Sequence, residues 1–267
     1  MVQEFQIGGT IMKIATFNIN NINRRLPNLL DWLKRAKPDV ACLQELKCGD
    51  KEFPAAKLKK AGYEAVWCVE KSWNGVAILS RRGAPVVTRS TLPGDPKDRQ
   101  ARYIEAAVNG VLIGCLYLPN GNPQPGPKFE YKLKWFARLN AHARALLKEN
   151  APVVLAGDFN VAPTENDIYP TKSWDDNALV RPESRAAYAR LIKQGWTDAL
   201  RQRHGEARVY TFWHYMRNRF ARDAGLRLDH ILLSPLLASR LKQAVVDRAE
   251  RGKPDASDHA PVWVELK

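Results

Sequence analysis

Short strand-like runs recur from one end of this chain to the other, with helix-like stretches set between them. The runs fall at residues 13–19, 39–45, 63–69, 75–80, 103–108, 111–118, 152–157, 228–233, 244–247 and 260–265. Most are rich in β-branched and apolar residues and are bounded by Gly, Pro or Asn, as buried strands are. Asn109-Gly110 separates two of them, and a two-residue turn needing positive φ at both centres makes that pair a hairpin. Three stretches repeat apolar residues at helical spacing. The first carries Leu26, Leu29, Leu30 and Leu33. The second, residues 128–149, sets Tyr131, Trp135, Leu139, His142 and Leu146 on one stripe, and the third, residues 184–194, ends at Gly195 as a C-cap. So many strands in 267 residues favour two packed sheets over one open sheet. The reading is α/β: a four-layer α/β/β/α sandwich of two packed mixed β-sheets flanked by helices. No Ser/Gly-rich linker interrupts it, so residues 12–267 are read as a single domain and residues 1–11 as an N-terminal tail.

Charge narrows the partners. With 42 Lys and Arg against 28 Asp and Glu, the net charge is +14. A chain this basic is suited to a polyanion, because neutralising phosphates releases condensed counterions. Charge alone does not separate DNA, RNA and anionic lipid. No apolar run reaches the roughly 18–20 residues that span a bilayer, and the first residues lack the basic and apolar regions of a secretory signal. The expectation is therefore a cytoplasmic protein without a membrane segment, monomeric for want of a long heptad pattern. Cys42, Cys48, Cys68 and Cys115 show no spacing suited to zinc and are read as reduced structural thiols.

Five short polar segments sit at the ends of apolar strands. Thr16 to Asn20 closes the first, Leu43 to Lys47 the second, and Gly157-Asp158-Phe159-Asn160 follows a run of Val, Leu and Ala. Asp229-His230 lies within residues 226–233, and Ser257-Asp258-His259 precedes the last strand. Any one of them taken alone reads better as a turn cap. Together they supply carboxylates, carboxamides and an imidazole, the groups that hold a hard divalent cation and handle protons in phosphoryl chemistry.

These segments, in their order, resemble the exonuclease III-type AP endonucleases of the endonuclease/exonuclease/phosphatase superfamily. The stretches TFNIN, LQELK, WNGVAI, LYLPNG, GDFN, YTFWHYM, RLDHILLS and SDHAPV carry the resemblance from Met12 to Lys267. It implies a Mg²⁺-dependent nuclease, with Mn²⁺ as an alternative, that cuts double-stranded DNA 5′ to abasic sites or trims 3′-blocked ends. It further implies Glu45 as principal metal ligand, Asn18 as its support and Asp258 beside the metal. Asp158 and Asn160 would orient the attacking water and a phosphate oxygen, with Asp158 as general base. His259, steadied by Asp229, would face the phosphate, and Tyr117 would donate its hydroxyl to it. Trp73, Asn74, Arg102 and Asn120 match positions near DNA. Phe212, Leu226 and Leu228 would line a pocket for a base-less sugar, with Trp213 as its floor, and Met216 would stand at the lesion. Several relatives carry Trp in the place of Leu226, so a roomier pocket and appreciable 3′–5′ exonuclease or 3′-repair activity are expected. Within the same fold the competing readings are a plain exonuclease and a phospholipid or inositol phosphate phosphodiesterase.

Outside these segments the reading is plainer. His142 is taken as structural and His230 as either site-lining or packed within its strand. Lys128, Lys132 and Lys134 are read as a solvated basic face that attracts DNA.

Overall fold

The computed structural model of the chain describes residues 11–267. Apart from Ile11, the expected tail lies outside the described residues. One six-stranded sheet holds β1 (Met12–Asn18), β2 (Val40–Gln44), β3 (Glu64–Cys68), β4 (Val76–Ser80), β11 (Leu241–Val246) and β12 (Val262–Leu266), in the order β11-β12-β1-β2-β4-β3. The other holds β5 (Val86–Arg89), β6 (Tyr103–Val108), β7 (Val111–Tyr117), β8 (Val153–Asp158), β9 (Thr197–Asp198) and β10 (Asp229–Leu233), in the order β5-β6-β7-β8-β10-β9. Each sheet is mixed, with a parallel pair at its centre, β1 beside β2 and β7 beside β8. Asn109 and Gly110 turn β6 into β7 with φ of 48° and 79°, as the hairpin reading requires.

Burial sorts the side chains into layers. Ile14, Cys42 and Ile78 of the first sheet meet Ile113, Val154 and Ile231 of the second in one core. On the outer face of the first sheet, Phe17 and Leu43 pack under Leu29, Trp32 and Leu33 of α1 (Leu26–Ala36), with α2 (Ala55–Lys60) contributing Leu58. On the outer face of the second, Leu116 and Leu155 pack under α3 (Pro127–Lys148) and α4 (Pro182–Lys193). Alternation along each strand thus feeds the inter-sheet core and a helix-covered face in turn, and each fully buried Leu or Ile contributes about 1.5–3 kcal/mol. The four-layer sandwich follows. Short helices α5 (Ala199–His204) and α6 (Pro235–Ala238) close the ends.

The two parallel pairs aim their C-terminal ends at one edge of the sandwich. Register pairs Asn18 with Gln44, the residue before Glu45, and Tyr117 with Asp158. Antiparallel β10 starts opposite the end of β8, which pairs Asp229 with Asp158. Strand ends from both sheets therefore converge on one place.

Candidate active site

At this edge the backbone leaves the sheets abruptly. Glu45 and Lys47 have positive φ of 53° and 49°, and Asn160 one of 46°, so each strand turns as it delivers its polar residue. Gly157 is required here: a Cβ would come within 1.9 Å of the Leu116 carbonyl oxygen. Gly75, at φ 93°, passes so close to Leu46 that a Cβ would stand 2.8 Å from that side chain.

Asn18 is the hinge of the cluster. Its Nδ2 donates to Glu45 Oε1 at 2.9 Å and to Asp158 Oδ2 at 3.0 Å, so two carboxylates face each other across a single amide. Asp158 also accepts from the Asn160 backbone N–H at 2.8 Å and from Asn160 Nδ2 at 3.3 Å. Asn160 in turn donates to the Leu118 carbonyl at 2.8 Å and accepts from Asn120 Nδ2 at 3.1 Å. On the far side His259 Nδ1 meets Asp229 Oδ2 at 2.8 Å, while its Nε2 lies 3.9 Å from Asp158 Oδ2. One ligand atom from each of Glu45, Asp158 and His259 lies within 4.8 Å of the others.

Electrostatics assign different duties to these three. Burial raises the Asp158 carboxyl, and Asp229 and Glu45 nearby add to the effect, so it reaches about 7 despite the opposing His259 charge. Burial alone would lower His259, but the Asp229 carboxylate outweighs it and, with Asp158 and Asp258, lifts the imidazole to about 10. Burial also opposes the Glu45 charge, yet Lys47, at 2.7 Å, and Asn18 hold that carboxyl below its ordinary value. An imidazolium has no lone pair to offer a cation. Glu45 and Asp158 are therefore the groups suited to a divalent metal, being hard oxygens crowded together so that a positive charge between them relieves their repulsion. Tyr117, half-buried, keeps its hydroxyl proton: burial and the charges of Glu45 and Asp158 push it well above the usual phenol range.

Asp258 stands outside this group of three; its Oδ1 accepts from Asn20 Nδ2 at 2.9 Å, and Asn20 Oδ1 accepts from Lys47 at 2.7 Å. Sequence reading passed over Asn20 and Lys47 as binding partners, although both lie inside the quoted segments.

A cleft of about 470 Å³ opens beside the cluster, and Trp73, Asn74, Arg102, Tyr117 and Asn120 line it together with Lys128. Trp73 is exposed, and the Arg102 guanidinium lies over the Tyr117 ring at 4.8 Å. Asn74 is buried and donates to Glu70, whose other oxygen accepts from the Ala101 N–H at 3.0 Å, so it fixes the cleft wall. Glu70 is a wall residue that no motif reading singled out.

Across the cluster, Phe212 sets its ring 4.9 Å from that of His259. Phe212, Leu226 and Leu228 share a cluster with Ile168, Trp174 and Leu179. Leu226 is wholly enclosed there by these neighbours. Trp213 is not the floor of that group. Adjacent residues of an extended segment point to opposite sides, and Trp213 packs instead with Tyr210 and Ala260, its indole donating to Asp223 at 3.0 Å. Met216 is exposed at the rim.

Two basic residues have fates the sequence did not announce. Lys132, expected on a solvated face, is completely buried; its Nζ donates to the backbone carbonyls of Asn120 at 3.0 Å and Asn160 at 2.5 Å. Burial pulls its amine down to about 7, with Asp158 opposing. Arg227, inside the RLDH segment, is buried against Asp167 and Asp198, at 2.6 Å each, and His230 Nδ1 at 2.8 Å. That network resolves His230 as a packed strand residue. His142 likewise bonds Tyr103 and Glu105 within the structure. Cys42, Cys48 and Cys115 are buried free thiols, and Cys68 is partly buried.

Two packed sheets delivering carboxylates, carboxamides, an imidazolium and a phenol to one edge define a phosphoester hydrolase. The chain belongs to the Endonuclease/Exonuclease/phosphatase family, whose sequence profile matches residues 15–259. It is 33% identical to exodeoxyribonuclease III from Haemophilus influenzae over 96% of this chain and 100% of that protein. An AP endonuclease structure from Archaeoglobus fulgidus superposes with a TM-score of 0.91 at 35% identity, covering 96% of this chain and 99% of the other. The 3′–5′ exonuclease NExo from Neisseria meningitidis superposes with a TM-score of 0.92 at 42% identity over 96% and 100%. NExo from Neisseria is also seen as a 3′ phosphatase bound to a product DNA hairpin, with a TM-score of 0.91 at 41% identity over 96% and 99%. The chain is thus a DNA repair nuclease of the exodeoxyribonuclease III and AP endonuclease type, in a family that depends on a divalent metal.

Proposed function

We propose that this chain is a Mg²⁺-dependent enzyme that hydrolyses double-stranded DNA 5′ to abasic sites, leaving a 3′-hydroxyl and a 5′-deoxyribose phosphate. The observation that carries this reading is the Asp158 carboxylate, raised to about 7 and placed between Asn160, Asn18 and an imidazolium. Asp158 accepts the proton of the attacking water, and Asn160 fixes where that water and a phosphate oxygen lie. The His259 imidazolium and the Tyr117 hydroxyl donate to phosphate oxygens as negative charge builds on them. Glu45, supported by Asn18 and with Asp258 further out, would hold the cation, which would supply Lewis-acid stabilisation of the phosphoryl oxygens when bound and leave Asp158 free to take the proton. Trp73, Asn74, Arg102 and Asn120 form the wall along which the DNA strand runs. Phe212 fronts the base-less sugar with Leu226 and Leu228 packed behind it, and Met216 meets the duplex at the rim. The enzyme acts as a monomeric single domain, residues 12–267, in the cytoplasm. Among the described residues no helix is long and apolar enough to cross a membrane.

A second reading, 3′–5′ exonuclease and 3′-phosphatase action as the main activity, is favoured by the higher identity to NExo than to the archaeal AP endonuclease. One assay separates the two. A 5′-labelled duplex with a single abasic-site analogue is incubated with Mg²⁺ or EDTA, beside an undamaged duplex and a 3′-phosphorylated one. A single Mg²⁺-dependent cut at the lesion supports the first reading. Shortening or dephosphorylation from the 3′ end alone supports the second, and no cleavage of any DNA rejects both.

The Asp229–His259 pair gives a pH test. His259 lies above its ordinary 6.5, so its positive charge is complete below that value and is lost only as pH rises through about 10. Removing the Asp229 charge leaves burial as the dominant influence and moves the loss to or below neutrality. Asp229→Asn should therefore lose most single-turnover activity at pH 8, and its rate relative to the wild type should recover in part near pH 6. An unchanged pH–rate profile would remove the imidazolium from the mechanism.

A further inference from the structure

The far end of the first sheet carries a second concave surface. The catalytic edge lies where β2 ends and β4 begins, whereas this groove lies where β2 begins and β4 ends, about 17 Å away for a five-residue strand. Its volume is about 700 Å³, within the range of ligand pockets. Leu30 and Leu33 from α1 and Ala61 and Tyr63 after α2 form an apolar floor. Lys34, Lys37, Lys57, Lys60 and Arg81 ring it, and no carboxylate lines it.

The ring has more charge than the fold uses. Arg81 pairs with Asp39 at 3.3 Å. Among the described residues, none of the four lysines has an ion-pair partner. Both helices end here, so their last carbonyls favour cations in the final turns, and that accounts for basic residues at this end. It does not account for an apolar hollow inside the ring. Nucleic acid backbone would satisfy the charges and leave the floor unused. An acidic peptide segment with a bulky apolar side chain matches both: carboxylates spaced along it reach the lysines, and the apolar residue displaces water from the floor.

We propose that this groove docks an acidic segment of a partner protein, anchored by an aromatic or aliphatic side chain and independent of the catalytic edge. The test is fluorescence anisotropy with a short labelled peptide of alternating Asp and Phe. Companion peptides have Ser in place of Phe and Asn in place of Asp, and a single-stranded oligonucleotide serves as competitor. The Lys34→Glu/Lys60→Glu double variant, both positions being exposed, should weaken binding of the Asp/Phe peptide by at least about tenfold. Its cleavage of DNA should stay at the wild-type rate, which also shows that it is folded. Both companion peptides should bind more weakly than the parent. Equal binding of the Ser peptide, equal binding by the double variant, or full displacement by the oligonucleotide would each overturn the proposal. The first reduces the groove to general polyanion attraction, the second places the peptide elsewhere, and the third makes it a nucleic-acid surface.

Discussion

Asp158→Asn is expected to lower single-turnover cleavage by about 10²–10⁴-fold, the range a positioned general base contributes, and to raise the thermal stability of the metal-free protein at pH 8. Both effects come from one fact. The Asp158 carboxyl rises from 3.8 to about 7 in the folded chain because burial and the Asp229 and Glu45 charges disfavour ionisation. The folded state therefore holds a proton that the unfolded state has released between about pH 4 and 7. Stability falls with pH across that window, and the cost is complete above it. Asn is uncharged at every pH, so the cost disappears while the size of the side chain is kept. The compensation is incomplete, since Asp158 accepts at both oxygens, from Asn18 and Asn160 Nδ2 at Oδ2 and from the Asn160 backbone N–H at Oδ1, and an amide has only one oxygen. DNA affinity should hold or increase, because a negative charge facing phosphate is gone. The checks are melting curves in EDTA at pH 8, gel-shift affinity and single-turnover rates. Loss of activity with a lowered melting temperature would mean that Asp158 supports the fold rather than the reaction.

What the sequence made legible has a physical boundary. The polar residues that converge on the candidate site were readable because each sits at the end of an apolar strand, where a polar residue is conspicuous. The short or exposed elements were not. All four residues of β5 are exposed, so its alternation carries no contrast, and β9 has only two residues. In α2 a single buried leucine, Leu58, lies among lysines, too little for a helical stripe. Trp213 was misplaced because the motif was taken as a block, whereas strand alternation separates it from Phe212. The enclosure of Leu226 was illegible for another reason: the residues packed on it, Ile168, Trp174 and Leu179, come from a segment some fifty residues earlier in the chain. Lys132 is the instructive case. Its charge grouped it with Lys128 and Lys134, yet its spacing puts it on the stripe of Trp135, Phe136 and Leu139 at i+3, i+4 and i+7. Position on the helix, not residue type, carried the signal.

That placement makes Lys132→Met the second large effect, with kcat expected to fall by about 10²-fold and KM to change little. Lys132 Nζ joins the carbonyls of Asn120, which lines the cleft, and Asn160, which bonds Asp158. A neutral amine has two N–H groups, one for each carbonyl, so the amine can hold both even where its proton is lost near pH 7. Methionine fills the same space and donates nothing. Each carbonyl left without a partner costs about 1–3 kcal/mol, but the penalty of enclosing an ammonium disappears at the same time, so overall stability should move less than either term. What does not cancel is position. The Asn160 turn is held by its own carbonyl as well as by its side chain, and a displacement of about 1 Å at a reacting group can cost about 10²-fold in rate. Gly121 leaves little slack, since even a Cβ there would stand 2.6 Å from Lys132 Cδ. Lys132→Arg restores donors and should recover part of kcat where Met recovers none. The comparison of kcat, KM and melting temperature across the three proteins separates positioning from packing. A Met variant with wild-type kcat, or an Arg variant no better than Met, would reduce Lys132 to a core residue that happens to be charged.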